Sequence, residues 1–263
     1  MATDTATGSS GRPLRPDYRI HADGSVTLRI CFNWSCASRQ HLAFTTADMR
    51  EVAQQMALCP SNGLRHRLQR LRIGIWQMEA LAQKYQPLLG NDEAINTRDQ
   101  DRDGRMDCID NASNTTTYLH VLRELGLLPG WSVASPQVRD PLSMTVHWTA
   151  VAVDRERNGP WAVDAWFRPN GHLPFVLPLP DWKDSAVAWE APFATLNPYP
   201  VYSNQLCGAD AEAGDGSPRP GPPVAHGGRG PQARQPGQPT KKTPLARGSR
   251  GVVGTVGFEP TTR

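Results

Sequence analysis

Two β-rich runs, Thr145–Val153 and Trp161–Phe167, flank Arg155-Glu156-Arg157-Asn158-Gly159. Asn-Gly between such runs is a strong signal for a tight antiparallel hairpin. A third run, Leu173–Leu179, is interrupted by prolines that cannot donate to a ladder, which predicts an edge strand. Upstream, Val26, Leu28, Ile30 and Phe32 alternate within Ser25–Phe32 and predict another strand. Between these regions the apolar period changes. Thr46–Leu58 predicts a short helix with Thr45 or Thr46 as N-cap. Leu64, Leu68, Leu71, Ile75, Met78 and Ala82 step by four or three residues and form one apolar stripe. They predict a helix from Asn62 to Tyr85, ended by Pro87 and Gly90. Arg65, Arg67, Arg70 and Arg72 fall largely off the stripe and read as a solvated face, with phosphate binding as the alternative. A third helix is predicted from Cys108 to Leu125, closed by Gly126 and started by Asp107 and Asp110, which suit the positive helix end. Helices first and antiparallel strands after give the α+β class.

Composition separates a folded part from a tail. From Gly208 to Arg263 there are 12 Gly and 9 Pro in 56 residues, with no apolar period. Such a segment cannot bury enough apolar area to offset chain entropy. The expected organisation is a disordered lead over 1–17, one domain over 18–207 and a disordered tail over 208–263. The net charge of +3 belongs to the tail, which has 8 basic and 4 acidic residues, leaving 20 basic against 21 acidic in 1–207. The folded part is therefore not expected to bind nucleic acid. Gly257-Phe258-Glu259-Pro260 back-translates to codons that accommodate the T-arm of a transfer-RNA gene, which makes part of the tail a candidate read-through.

Residues 1–17 lack an apolar signal core, and no run is long enough to span a bilayer. A cytoplasmic location is the default expectation, with the periplasm as the alternative if the start is misassigned. Reduced thiols follow from that default for Cys31, Cys36, Cys59, Cys108 and Cys207.

The connection 88–106 is long for a compact domain and is a candidate functional loop. At its end stands Asp99-Gln-Asp-Arg-Asp-Gly-Arg-Met-Asp-Cys-Ile-Asp110. Asp99, Asp101, Asp103, the Arg105 carbonyl, Asp107 and Asp110 match the oxygen-ligand positions of a calcium loop, with Gly104 at the turn. Asp in place of Glu at the twelfth position is the one departure. Ca2+ is the expected ion.

Cys108 lies inside that loop and at a helix start, where thiol pKa values fall. His147 and Asp164 follow it. With the hairpin turn centred near Arg157, Asp164 faces residues close to Thr149, so His147 and Asp164 can share one face of the sheet. A thiol, an imidazole that takes its proton and a carboxylate that orients the imidazole make an acyl-transfer triad. Five carboxylates around a thiol oppose its ionisation, and a bound cation would invert that balance.

The segments D-C-I-D, N-x-x-T-Y-L-x-x-L-x-x-L-G-L-L, H-W-T-A-V and A-V-D-A-W-F resemble the bacterial transglutaminase-like cysteine peptidases, within the wider papain-like group. The likeness runs from Cys31 to Trp182 and is tightest over 99–168. It implies a papain/transglutaminase-like core, with Cys108 as nucleophile, His147 as base and Asp164 as orienting residue. It also implies a protein or peptide substrate. Proteolysis is the first expectation, transamidation or deamidation the second, and a non-catalytic calcium-binding or scaffold protein the third. The Cys108 backbone N–H and a side chain such as Gln100, Asn111 or a tryptophan are the expected oxyanion donors.

Overall fold

A computed structural model describes residues 4–5, 12–91, 101–139, 146–157, 159–167, 169–184 and 207, the first two by backbone alone. Contacts divide the chain into residues 1–215 and 216–263. The second unit and the start of the Gly/Pro-rich tail at 208 lie outside the described residues.

The first unit is α+β. Strands β1 (Asp4–Thr5), β2 (Tyr18–Ile20), β3 (Val26–Phe32) and β4 (Ser38–Phe44) form an antiparallel sheet in the order β1-β4-β3-β2. Helices α1 (Thr46–Met56) and α2 (Leu64–Tyr85), a 3-10 turn at Pro87–Asn91 and α3 (Cys108–Glu124) come next. Strands β5 (Trp131–Arg139), β6 (His147–Asp154), β7 (Gly159–Asp164) and β8 (Phe175–Pro178) form a second antiparallel sheet in chain order, followed by the short α4 (Leu179–Lys183). Helix α3 packs on β6, β5 and β7 and also on β3, so it touches both sheets.

The core follows the sequence periods. The alternating Val26, Leu28, Ile30 and Phe32 are buried, as are Leu68, Leu71, Ile75, Met78 and Ala82 of α2. Each large side chain of this kind contributes about 1.5–3 kcal/mol by burial. Helix α1 is started by a capping box. The Thr45 hydroxyl accepts the Asp48 N–H, and the Asp48 carboxylate accepts the Thr45 N–H.

Asp48 also takes hydrogen bonds from Lys84 Nζ at 2.8 Å and Tyr85 Oη at 2.6 Å. Burial works to raise its pKa, but the bonds from Lys84, Tyr85 and Thr45 outweigh it and hold the carboxyl well below the usual range. A carboxyl depressed on folding adds stability that is present above its unfolded pKa and lost as pH falls through the folded one. Asp48→Asn is therefore expected to cost roughly 1.5–3 kcal/mol at neutral pH, with the gap to wild type closing below about pH 4; urea midpoints at the two pH values check this.

Two sequence expectations are corrected here. Of the arginine cluster of α2 only Arg65 is exposed; the rest is not a solvated face. Arg67 and Arg72 are among the most deeply buried side chains. Arg67 pairs with Asp154, Arg72 donates to the Pro174 carbonyl and to Gln69, and Arg70 donates to the Cys59 and Ser61 carbonyls. Helix α2 is covered by α1, α3, β4 and β8, so off-stripe positions are buried too and carry groups that bond to neighbouring backbone.

The thiols are not all reduced. Cys31 pairs with Cys36 and Cys59 with Cys207, leaving Cys108 as the free cysteine. The first pair closes a tight turn between β3 and β4 that brings its Cα atoms to 4.6 Å. The second ties residue 207 to the end of α1, a juxtaposition that no local spacing encodes. No helix among the described residues is long and apolar enough to cross a membrane.

Candidate active site

Cys108 is the first residue of α3, and the helix start is built around it. Asp107 is the N-cap, with extended backbone. Its Oδ1 accepts the Ile109 and Asp110 N–H groups at 2.9 Å each. Asp110 Oδ2 accepts the Asp107 N–H in return, at 3.1 Å, which completes a capping box. The cap takes the N–H groups of Ile109 and Asp110 and not that of Cys108.

A second structure buttresses this end. Asn33, Trp34, Ser35 and Cys36 have φ values of 62°, 60°, 54° and 58°. That is a left-handed turn of four non-glycine residues, a conformation costing roughly 1–2 kcal/mol at each. Its contacts explain how it persists. Cys36 N–H donates to Asp110 Oδ1 at 2.6 Å, Ser35 Oγ to Asp107 Oδ2 at 3.0 Å, and Asn33 N–H to the Arg105 carbonyl at 2.7 Å. The Cys31–Cys36 disulfide closes the turn. Asn114, on α3, accepts from the Cys31 N–H and donates to its carbonyl.

The imidazole comes from the other side of α3. In the β6–β7 ladder Ala150 opposes Val163. The sheet brings His147 Nε2 to 2.7 Å from Asp164 Oδ2, with both residues buried. A carboxylate only accepts, so Nε2 is the nitrogen that donates to it, which leaves Nδ1 as the other ring nitrogen. Nδ1 is buried and has no hydrogen-bond partner among the described residues. Trp182 Nε1 donates to the same Asp164 Oδ2 at 2.8 Å, and the Trp166 N–H reaches Oδ1 at 3.3 Å. The imidazole is packed against Trp166, Phe167 and Trp182, with ring centroids 4.9, 4.8 and 5.6 Å away. Donors on the carboxylate and aromatic faces on the ring fix one orientation of the imidazole.

The thiol meets the strand on either side of His147. Cys108 Sγ lies 3.9 Å from the Val146 carbonyl, and the Trp148 N–H faces the sulfur. Burial, then the charges of Asp107, Asp164 and Asp110, outweigh that N–H and push the thiol up to about 12. Cys108 therefore rests as a thiol and needs a base to become a nucleophile. His147 carries the one buried, unengaged basic nitrogen of the strand that touches it.

The described part of the acidic loop builds the start of α3. Asp99 and Gln100 lie outside the described residues, and Asp101 and Asp103 are exposed. Asp103 Oδ1 accepts from Asn33 Nδ2 at 2.8 Å. The Arg105 carbonyl and both oxygens of Asp107 and of Asp110 are engaged as described above. Asp110 is fully buried, and burial followed by the Asp107 charge raises its pKa well above the carboxylate range. Gly104 has φ +88°, and a Cβ there would lie 1.9 Å from the Leu88 carbonyl oxygen. That close approach requires glycine without any metal. In this arrangement the described part of the loop serves as a helix cap, and the oxygens of Asp107 and Asp110 each accept a hydrogen bond from the protein. The one group of cysteine, histidine and acidic side chains close enough to share an ion, among the described residues, is Cys31, Cys36 and Asp110, and its two sulfurs are bonded to each other.

Some roles were not anticipated. Trp182 follows a proline-broken edge strand, and nothing local marks it as a partner of Asp164. Arg139 stacks its guanidinium over Trp182 at 4.7 Å and Phe167 at 5.5 Å and donates to the Trp182 carbonyl at 2.9 Å. Of the expected oxyanion donors, Asn111 Nδ2 is spent on the Asp107 carbonyl and Trp166 Nε1 on the Met106 carbonyl. Trp34 Nε1 is buried without a partner among the described residues. Comparison of the chain with protein-family models, with curated proteins and with solved structures returns no match.

Proposed function

We propose that this chain performs thiol-dependent acyl transfer on an amide, with peptide hydrolysis as its first reaction. The observation that carries the reading is the buried His147–Asp164 pair, whose free Nδ1 belongs to the strand segment lying against the Cys108 sulfur. We read α3 on the second sheet as a papain/transglutaminase-like core, in keeping with the sequence resemblance.

In the first half-reaction the Cys108 S–H proton moves to His147 Nδ1 as the sulfur attacks the amide carbonyl carbon. The C–S bond forms and the carbonyl π electrons move to oxygen. The Cys108 N–H, left out of the Asp107 cap, is the backbone donor assigned to that oxyanion. Collapse breaks the C–N bond, and the amine leaves with the proton from His147. In the second half, water gives a proton to His147 and its oxygen attacks the thioester. The C–S bond breaks and the thiol regains its proton. An amine in place of that water gives transamidation through the same acyl-enzyme, and hydrolysis of a glutamine side chain gives deamidation. Asp164 orients the ring and balances the imidazolium.

The two disulfides support an oxidising compartment rather than the reducing one expected by default. No step here passes through calcium. The test is labelling by a thiol-reactive peptidyl vinyl sulfone at neutral pH. Label on Cys108 that disappears in Cys108→Ala is the expected result. Absence of Cys108-dependent label would instead favour a non-catalytic binding or scaffold protein. Running the same assay with calcium and with chelator reads the loop: faster labelling with calcium supports an ion there, and equal rates argue against one.

A further inference from the structure

Residues 12–16, Arg-Pro-Leu-Arg-Pro, line one side of a cavity of about 410 Å3. The opposite wall is Thr116 and His120 of α3, residues 133–136 of β5, and Trp148. Three features make this a groove for an extended chain. First, β5 is the edge of its sheet, and its ladder to β6 shifts register between Ala134 and Gln137, so Ser135 and Pro136 bulge out at the groove. Second, Ser113, Thr116 and His120 are spaced three and four apart, which puts them on one face of α3. The Leu14 N–H donates to Ser113 Oγ at 2.9 Å. Third, the groove leads to the thiol. Leu14 packs against the apolar cluster that contains Cys108, Ile109, Trp166, Phe167 and Phe175, and Trp148 both lines the groove and points its N–H at the Cys108 sulfur.

We infer that the cleft between α3 and the β5 edge binds an extended peptide carrying a leucine-sized apolar side chain, and that residues 12–16 lie in cis against its α3 side and shield Cys108, with the cavity open beside them. Pro13 and Pro16 hold φ and exclude helix, so the segment enters the groove already extended at little entropic cost. Leu14 is its only large apolar side chain and supplies the contact with the Cys108 cluster, while Arg12 and Arg15 are exposed. The Asp17 carbonyl accepts the Arg29 N–H at 2.9 Å, which anchors the segment at the start of the first sheet. A substrate peptide of the same shape would have to displace it. The inference extends the reading of Cys108 as a nucleophile by naming what lies beside it.

The test uses the full chain in three forms: wild type, Leu14→Ser and Leu14→Met. Cys108 is the one free cysteine among those described, so iodoacetamide uptake read by peptide mass reports on it. Leu14→Ser is expected to alkylate about tenfold faster than wild type, the effect of losing one apolar anchor, while Leu14→Met keeps the wild-type rate. A fluorescein-labelled peptide of residues 11–17 is expected to bind Leu14→Ser by anisotropy, to slow its alkylation when in excess, and not to bind wild type. Equal alkylation rates for wild type and Leu14→Ser, or failure of Leu14→Ser to take up the peptide, overturns the inference. The anisotropy measurement involves no covalent chemistry at Cys108, so it stands even where the acyl-transfer reading fails.

Discussion

Replacing His147 with glutamine is expected to slow alkylation of Cys108 at pH 7 by about a hundredfold or more. The argument rests on the thiol's surroundings. Burial and three nearby carboxylates push Cys108 up to about 12, so almost none of it is thiolate at neutral pH unless a neighbour takes the proton. In the wild type Nδ1 can do so, because Nε2 is committed to Asp164 and the resulting imidazolium is balanced by that carboxylate. Glutamine fills much of the same space but takes no proton. The variant's rate should then climb about tenfold per pH unit through the alkaline range, whereas the wild-type rate is already high at pH 7. Asp164→Asn should fall between the two. Its amide oxygen can still accept from Nε2 and from Trp182, but its amino group would face the Trp166 N–H, and the countercharge is gone. Indistinguishable pH–rate curves for wild type and His147→Gln would remove His147 from the role of base.

The parts of this site that were legible in the sequence are those set by local periods. A hairpin with its turn near Arg157 puts residue 164 level with residue 149, and alternation then puts 147 and 164 on the same face. The observed ladder, with Ala150 opposite Val163, follows that arithmetic. The start of α3 at Cys108 was readable from Asp107 and Asp110 as capping residues. The same two residues also match calcium-loop positions, and spacing alone cannot tell a carboxylate that caps from one that ligates. What decides between the two is where the oxygens point. That depends on the 33–36 turn, whose N–H and hydroxyl groups reach Asp110 and Asp107 from some 74 residues away in sequence. A run of four non-glycine residues in left-handed geometry has no sequence signature; it exists because tertiary bonds and a disulfide hold it.

Long-range groups were illegible for the same reason. Trp182 donates to Asp164, and Arg139 stacks on Trp182, through contacts no periodicity encodes. Disulfide pairing depends on which cysteines meet in space, which neither compartment nor spacing encodes. An apolar stripe on a helix does not imply that the rest of it is solvated, as Arg67 and Arg72 show. A helix packed on several sides can bury a guanidinium wherever carbonyls or carboxylates wait for it.

Arg67 is the sharpest case, and Arg67→Met is expected to destabilise the protein by about 3–5 kcal/mol. Its guanidinium meets both oxygens of Asp154, at 3.0 and 2.7 Å, and lies over the Trp131 ring at 5.6 Å. The two side chains are 2% and 0% exposed. A buried pair of this kind need not stabilise relative to an apolar pair, but removing one partner strands the other charge away from water. Asp154 is held below its usual pKa: burial opposes this, and the Arg67 hydrogen bond and charge outweigh it. The pair's contribution is thus present above about pH 4 and fades as pH falls through the depressed value. Arg67→Met in an Asp154→Asn background should cost less than half as much, and denaturant midpoints of the four proteins measure the difference. Asp154 also accepts the Glu156 N–H in the turn joining β6 to β7. The pair therefore pins one end of the hairpin whose other end holds His147 against Asp164. A one-residue slip in that ladder would turn every side chain to the opposite face and separate the imidazole from its carboxylate. Arg67→Met protein that remains folded yet loses rapid Cys108 alkylation at pH 7 is the outcome expected of that slip, since Arg67 bonds to Asp154 at the far end of the hairpin.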